Sequence, residues 1–236
     1  MRSYTRRQLK HDQFTETAKE TVSWAVEHQN KLVTAGAIAA VVVAIALGVW
    51  FYLQHQDEAA GVALGHALSI YNAPINGPLT PATPGVTSYN SAAERAKAAR
   101  AEFAKVADSY PHTRSGEIAR YFEGLADHDA GNTAAAESEL KQAASSGPSD
   151  IAALAKFALA NLYRNGGQDA QAAQLYKELI EHPTTTVAKP SAQLALAAMY
   201  EPKQPEEARR LYEQIRKEDP RGPAGEAATS RLASLK

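Results

Sequence analysis

Between Leu32 and Leu53 the chain reads LVTAGAIAAVVVAIALGVWFYL, 22 residues without a charge, bounded by Lys31 before it and Asp57 after it. At about 1.5 Å per residue a helix of this length covers the ~30 Å hydrocarbon core of a bilayer. The run ends in Trp50, Phe51 and Tyr52, whose rings favour the headgroup level because one end is apolar and the other wet. A buried core helix is the first rival, but such helices seldom stay uncharged on every face for six turns. A cleaved signal peptide is the second. Its short basic leader and apolar core of about 7–15 residues fit poorly, because 31 residues containing Asp12, Glu16, Glu20 and Glu27 come first. We therefore expect an uncleaved transmembrane helix over 32–53.

Charge gives the orientation. Arg2, Arg6, Arg7, Lys10, Lys19 and Lys31 precede the span, and no Lys or Arg follows it until Arg95. The positive-inside rule then keeps residues 1–31 in the cytoplasm and sends 54–236 across, which in a bacterium means inner membrane and periplasm. Within 1–31, Phe14, Ala18, Val22 and Val26 recur every four residues, the mark of an amphipathic helix. It lies along the membrane face or extends the anchor; the pattern fits both. Inside the span Gly36, Ala40, Ala44 and Gly48 form a face of small residues. Such a face lets a second helix pack closely, although a chain this rich in alanine produces the spacing by chance as well.

Beyond the span, β-branched alternation is nearly absent while Ala, Leu, Glu, Lys and Arg abound, so the remainder is read as all-α. Four segments align: AARAEFAKVADSYP, AAAESELKQAASSGP, AAQLYKELIEHP and EARRLYEQIRKEDP. Their final residues, Pro111, Pro148, Pro183 and Pro220, are 37, 35 and 37 apart, and Phe103, Leu140, Tyr176 and Tyr212 recur at 37, 36 and 36. This resembles the tetratricopeptide repeat, a helix–turn–helix unit of about 34 residues. Gly124 and Gly131 fall on its helix-contact and turn positions, followed by Ala136, Leu140, Ala143 and Pro148. A second repeat supplies Ala160, Tyr163, Gly167, Ala172, Tyr176 and Leu179, and a third Leu196, Tyr200, Ala208, Tyr212, Ile215 and Pro220. The expected fold is an α-solenoid. Its first helix is read as Glu58–Tyr71, separated from the next by a proline-rich loop over 72–90 (Pro74, Pro78, Pro81, Pro84), which we expect to be exposed and mobile. A final helix over 225–235 should cap the stack.

Composition removes several functions. With 25 basic against 26 acidic residues and no cysteine, the chain has no basic footprint for nucleic acid and no thiolate for metal or nucleophilic chemistry. No HExxH, GxSxG, phosphate loop or dinucleotide motif occurs, so neither a cofactor nor a metal site is expected. His128 beside Asp129 is read as a solvated helix end, and so are Glu206–Glu207 and Glu218–Asp219. We expect no enzyme; catalysis would need the 72–90 loop to complete a site with distant residues.

What remains is binding. In the resemblance, ligand-facing positions lie on the first helix of each repeat and fall on Ile118, Tyr121, Leu125 and His128, then on Leu154, Phe157, Asn161 and Arg164. Tetratricopeptide domains that clamp a C-terminal carboxylate have Lys and Asn where this chain has Tyr121 and Leu125, so an apolar groove suited to an extended segment is implied instead. Ordinary repeat packing would also explain Tyr121, Leu125 and Phe157. The whole plan of cytoplasmic segment, single span and degenerate repeats resembles the YfgM family of ancillary Sec-translocon subunits. That likeness implies partners among translocon subunits, a PpiD-like periplasmic folding factor and exported polypeptides. A scaffold for another envelope complex, without a chaperone role, is the alternative.

Overall fold

The computed structural model describes residues 29–77, 85, 87–147 and 149–235. The expected amphipathic helix upstream of Gln29 lies outside the described residues, as do Pro148 and the middle of the 72–90 loop. Nine helices account for the regular structure among the described residues, with one isolated bridge between Ile75 and Tyr89. They are α1 (Gln29–Tyr71), α2 (Ala92–Ser109), α3 (Arg114–Asp129), α4 (Thr133–Ser146), α5 (Ser149–Asn165), α6 (Asp169–Glu181), α7 (Lys189–Tyr200), α8 (Pro205–Glu218) and α9 (Pro223–Ser234). The fold is all-α, and the chain divides into two compact units, 1–55 and 56–236.

In the first unit the apolar run is helical throughout, and its large side chains from Val33 onward are exposed. Ile38, Val41, Val42, Val43, Ile45, Leu47, Trp50 and Phe51 are all exposed. Leaving that much apolar area in water is unfavourable by about 25 cal/mol per Å². The helix has the length and composition to cross a membrane and is a candidate span.

In the second unit each helix packs against the next, from α2 to α9, and α3 also meets α5 while α7 meets α9. Contacts between alternate helices make this an α-solenoid, in which the first helices of successive repeats line up along one side. The core is accordingly a row of clusters. Phe103, Leu140, Tyr176 and Tyr212, the four residues that recur in the sequence, are each at most 1% exposed. Gly124 explains why its position must be small: a Cβ there would lie 2.8 Å from Leu140 Cγ and 3.3 Å from the Leu140 backbone nitrogen.

Local chemistry sets the helix ends. Ser91 and Thr113 cap α2 and α3, accepting from the backbone N–H groups of Glu94 (3.1 Å) and Gly116 (3.0 Å). The α3–α4 and α5–α6 turns use Gly131 and Gly167 at φ +85° and +73°. In each, the following residue donates back to a carbonyl five residues earlier, Asn132 to Asp127 and Gln168 to Tyr163, both at 2.8 Å. This is the Schellman arrangement, in which glycine adopts the left-handed conformation without a Cβ penalty. The α7–α8 turn lacks such a glycine and closes with Gln204 N–H on the Tyr200 carbonyl at 2.7 Å.

Two expectations need correcting, and a third needs extending. Glu58–Tyr71 is not a separate helix but the end of α1, because nothing between Leu53 and Glu58 breaks a helix: Gln54, His55, Gln56 and Asp57 carry neither proline nor glycine. The stems of the 72–90 loop are tied, not loose. Asn76 N–H donates to the Tyr89 carbonyl (2.7 Å), Tyr89 N–H to the Pro74 carbonyl (3.0 Å), and Arg95 Nη1 to the Ala73 carbonyl (3.2 Å). Finally, Glu218 is exposed at a helix end as expected, but the Glu218–Asp219 pair is also bonded to its neighbours. Glu218 accepts from Lys189, Gln193 and Gln214, and Asp219 accepts from the Ala224 N–H, so they join α7, α8 and the start of α9. The last helix runs Pro223–Ser234 and covers Tyr212 and Ile215 through Ala228 and Leu232.

Candidate functional site

Two helices one repeat apart build the site. Tyr121, Leu125 and His128 of α3 and Leu154, Phe157 and Asn161 of α5 share one cavity of about 220 Å³. Spacings of three and four residues place each set on one helix face. Leu140, Ala158 and Leu162 complete its lining. Leu140 and Leu162 belong to the repeat core, so the residues that hold the repeats together also shape the hollow between them.

The walls are held from behind. Phe157 meets the buried Tyr176 edge to face at 5.8 Å, and Tyr121 meets Phe122 in the same way at 5.2 Å. Such pairs restrain ring orientation as well as burying area. Tyr176 also donates its hydroxyl to Asn161 Oδ1 at 2.7 Å, which fixes the amide and leaves its Nδ2 hydrogens as donors. Burial pushes the Tyr121 phenol up from its ordinary value, so it stays neutral and able to donate.

Two residues named from sequence fall elsewhere. Ile118 packs on the cluster formed by Leu64, Ala99, Phe103 and Ala119, away from the cavity. Arg164 borders a second, more open hollow of about 350 Å³ with Asn165, Asp169, Met199 and Lys203. The small-residue set Gly36, Ala40, Ala44 and Gly48 lies along α1, and a Cβ on Gly36 or Gly48 would meet nothing within 4 Å.

The opposite flank of α3 carries charge that sequence reading passed over. Glu123 and Asp127 are 5% and 2% exposed, and Arg100 of α2 reaches both, at 3.2 and 3.4 Å. Burial pushes the Glu123 carboxyl up to about 7; the Glu139 carboxylate adds to this and Arg100 opposes it. Asp127 also accepts from Asn132 Nδ2 at 3.2 Å. Further along, Asp129 accepts the Tyr71 hydroxyl at 2.8 Å, a link from α1 to α3 supported by the edge contacts of Tyr71 with Phe103 and Phe122. No group of three or more His, Asp or Glu among the described residues is placed to hold a metal ion.

An α-solenoid with an apolar, partly open hollow between the first helices of neighbouring repeats is the architecture of an interaction module. A protein-family model described as a tetratricopeptide repeat-like domain matches residues 23–179, and the chain belongs to that family. The match takes in the apolar helix as well as the repeats up to α6. No curated protein and no solved structure matches the chain. Domains of this kind are typically non-catalytic and imply protein partners.

Proposed function

We propose that this chain is a single-pass inner-membrane protein whose periplasmic repeat domain, 54–236, binds polypeptides beside the Sec translocon. In this reading 1–31 stays in the cytoplasm, 32–53 spans, and the partners are translocon subunits, a PpiD-like folding factor and emerging exported chains. The observation that carries the binding part is the convergence of six groove residues from α3 and α5 on one apolar cavity whose polar rim is already oriented. An extended segment suits it, because aromatics supply burial and a few fixed donors meet the segment's backbone. The address rests on the resemblance of the whole plan, together with a family match that covers anchor and repeats alike. Tethering would raise the effective concentration at the exit site without a tight intrinsic affinity.

Site-specific photocrosslinking in native membranes tests this, with probes at Tyr121 in the groove, at Arg164 past its end and at Ala44 in the span. Adducts with translocon subunits or a periplasmic folding factor are the expected result. Adducts with components of another envelope machine, and none with these, would replace the translocon reading by that of a scaffold.

A further inference from the structure

The groove has a chemical preference written into its size and charge, and the inference that follows rests on the binding role proposed above. The cavity, about 220 Å³, is larger than the roughly 150 Å³ that holds one benzene ring and smaller than the roughly 300–1,000 Å³ of pockets for drug-sized ligands. It suits one ring. Two of its walls are themselves rings, Phe157 and Tyr121, each restrained edge to face by a neighbour. A third ring can complete an offset or edge arrangement with them, which a branched aliphatic side chain cannot. Asn161, which also lines the cavity, is oriented by Tyr176 and keeps its Nδ2 hydrogens as donors.

Charge supplies the second half. Asp129 is engaged by Tyr71, Asp150 by Arg114, and Asp169 by Lys203. Arg164, one helical turn beyond Asn161 on α5, has no ion-pair partner among the described residues. These three aspartates are engaged elsewhere, and the Arg164 cation is left over. Three residues of helix advance about 4.5 Å and an extended chain about 3.3–3.6 Å per residue, so a carboxylate within two positions of the seated ring can reach Arg164.

We infer that the groove selects extended segments carrying one aromatic side chain, seated between Tyr121 and Phe157, with an acidic residue within two positions of it facing Arg164.

The test is calorimetric titration of the full chain in phospholipid nanodiscs with an end-capped peptide, Gly-Ser-Asp-Gly-Phe-Gly-Asp-Ser-Gly. Three variants accompany it: Leu for Phe, Ala for Phe, and Lys for both Asp. The Phe peptide should bind about threefold to tenfold more tightly than the Leu peptide and more than tenfold more tightly than the Ala peptide. The Lys peptide should be weakened severalfold, and less so in high salt. Ala158→Met, which fills the cavity, should abolish the Phe, Leu, Ala ranking, and Arg164→Gln should abolish only the difference between Asp and Lys peptides. Circular dichroism melts of both variants establish that they remain folded. Equal binding of the Phe and Ala peptides, or of the Asp and Lys peptides, would overturn the inference and leave the extended-segment reading standing. No heat with any peptide up to millimolar concentration would overturn both.

Discussion

At the scale of single residues the tightest constraints are where a helix meets the turn before it. The Tyr110 carbonyl accepts from Thr113 N–H and Oγ1 and lies over Gly116, where a Cβ would come within 1.9 Å of it. The Asp219 carbonyl lies over Gly225 in the same way, at 1.7 Å. In both places the glycine follows a proline by five residues, Pro111 and Pro220. A backbone oxygen cannot rotate aside as a side chain can, so Gly116→Ala should lower stability by on the order of 3 kcal/mol. Urea unfolding followed by tyrosine circular dichroism measures it, and a loss under about 0.5 kcal/mol would mean that the turn relaxes freely. Glu123 predicts a pH effect of definite sign. Facing it are Arg100 and Asp108 from α2, Glu139 from α4 and Asp127 from its own helix, and together with burial they hold its carboxyl at about 7 against an ordinary 4.5. Between those values the folded chain binds a proton that the unfolded chain does not, so Glu123 makes stability rise as pH falls from about 7 towards 4.5. Glu123→Gln imitates the protonated form. It should raise the melting temperature at pH 8 and flatten the dependence between pH 5 and 8; an unchanged slope would show that Glu123 titrates as an ordinary carboxyl.

At the scale of elements, the α3–α4 and α5–α6 turns depend on glycine for backbone reasons alone. Gly131 and Gly167 have positive φ, yet a Cβ on either would meet nothing within 4 Å. Gly167→Ala should therefore cost about 1–2 kcal/mol, the left-handed penalty without a clash, and Gly167→Asn less. Equal midpoints for Ala and Asn in urea would contradict this. These turns were legible in sequence because Gly131 and Gly167 recur in step with Leu140 and Tyr176, and a period of about 36 brings every such residue to the same niche. The continuity of α1 was not. Hydropathy reports the solvent a segment prefers, so the change at Leu53 looked like a boundary although no residue there interrupts the backbone. The groove positions are taken from the family register. Tyr121, Leu125, His128, Leu154, Phe157 and Asn161 meet at one cavity. Ile118 turns towards α2, and Arg164 sits past the cavity's end, because a helix face drifts and an idealised register has no knowledge of which neighbour is closest. Arg100, Glu123 and Asp127 left no signal, since their partnership joins residues 23 and 27 apart on different helices.

At the scale of the whole molecule the charge distribution predicts sidedness, and the sequence itself makes it measurable. The chain contains no cysteine, so a single introduced thiol reports its own compartment without background. Ser230 is exposed on α9, where a thiol should neither disturb packing nor escape a reagent. Six basic residues precede the apolar run, and none follows within the next forty. Moving such a cluster across an energised membrane is unfavourable by about 2.3 kcal/mol per charge per 100 mV, before any cost of desolvation. Ser230→Cys should accordingly react with a membrane-impermeant maleimide in intact spheroplasts, whereas Ser3→Cys should react only after detergent is added. Retention of both variants in the pellet after alkaline carbonate extraction checks that the helix is integral to the bilayer. The reverse labelling pattern would leave the repeat fold and its groove as they are but put them in the cytoplasm. Exported chains would then no longer meet the groove after crossing the membrane, and the partner would have to be sought on the entry side. Labelling of both positions in intact cells, with loss from the carbonate pellet, would mean that α1 does not span, and that its exposed Val41, Val43, Ile45 and Phe51 are covered by protein instead of lipid.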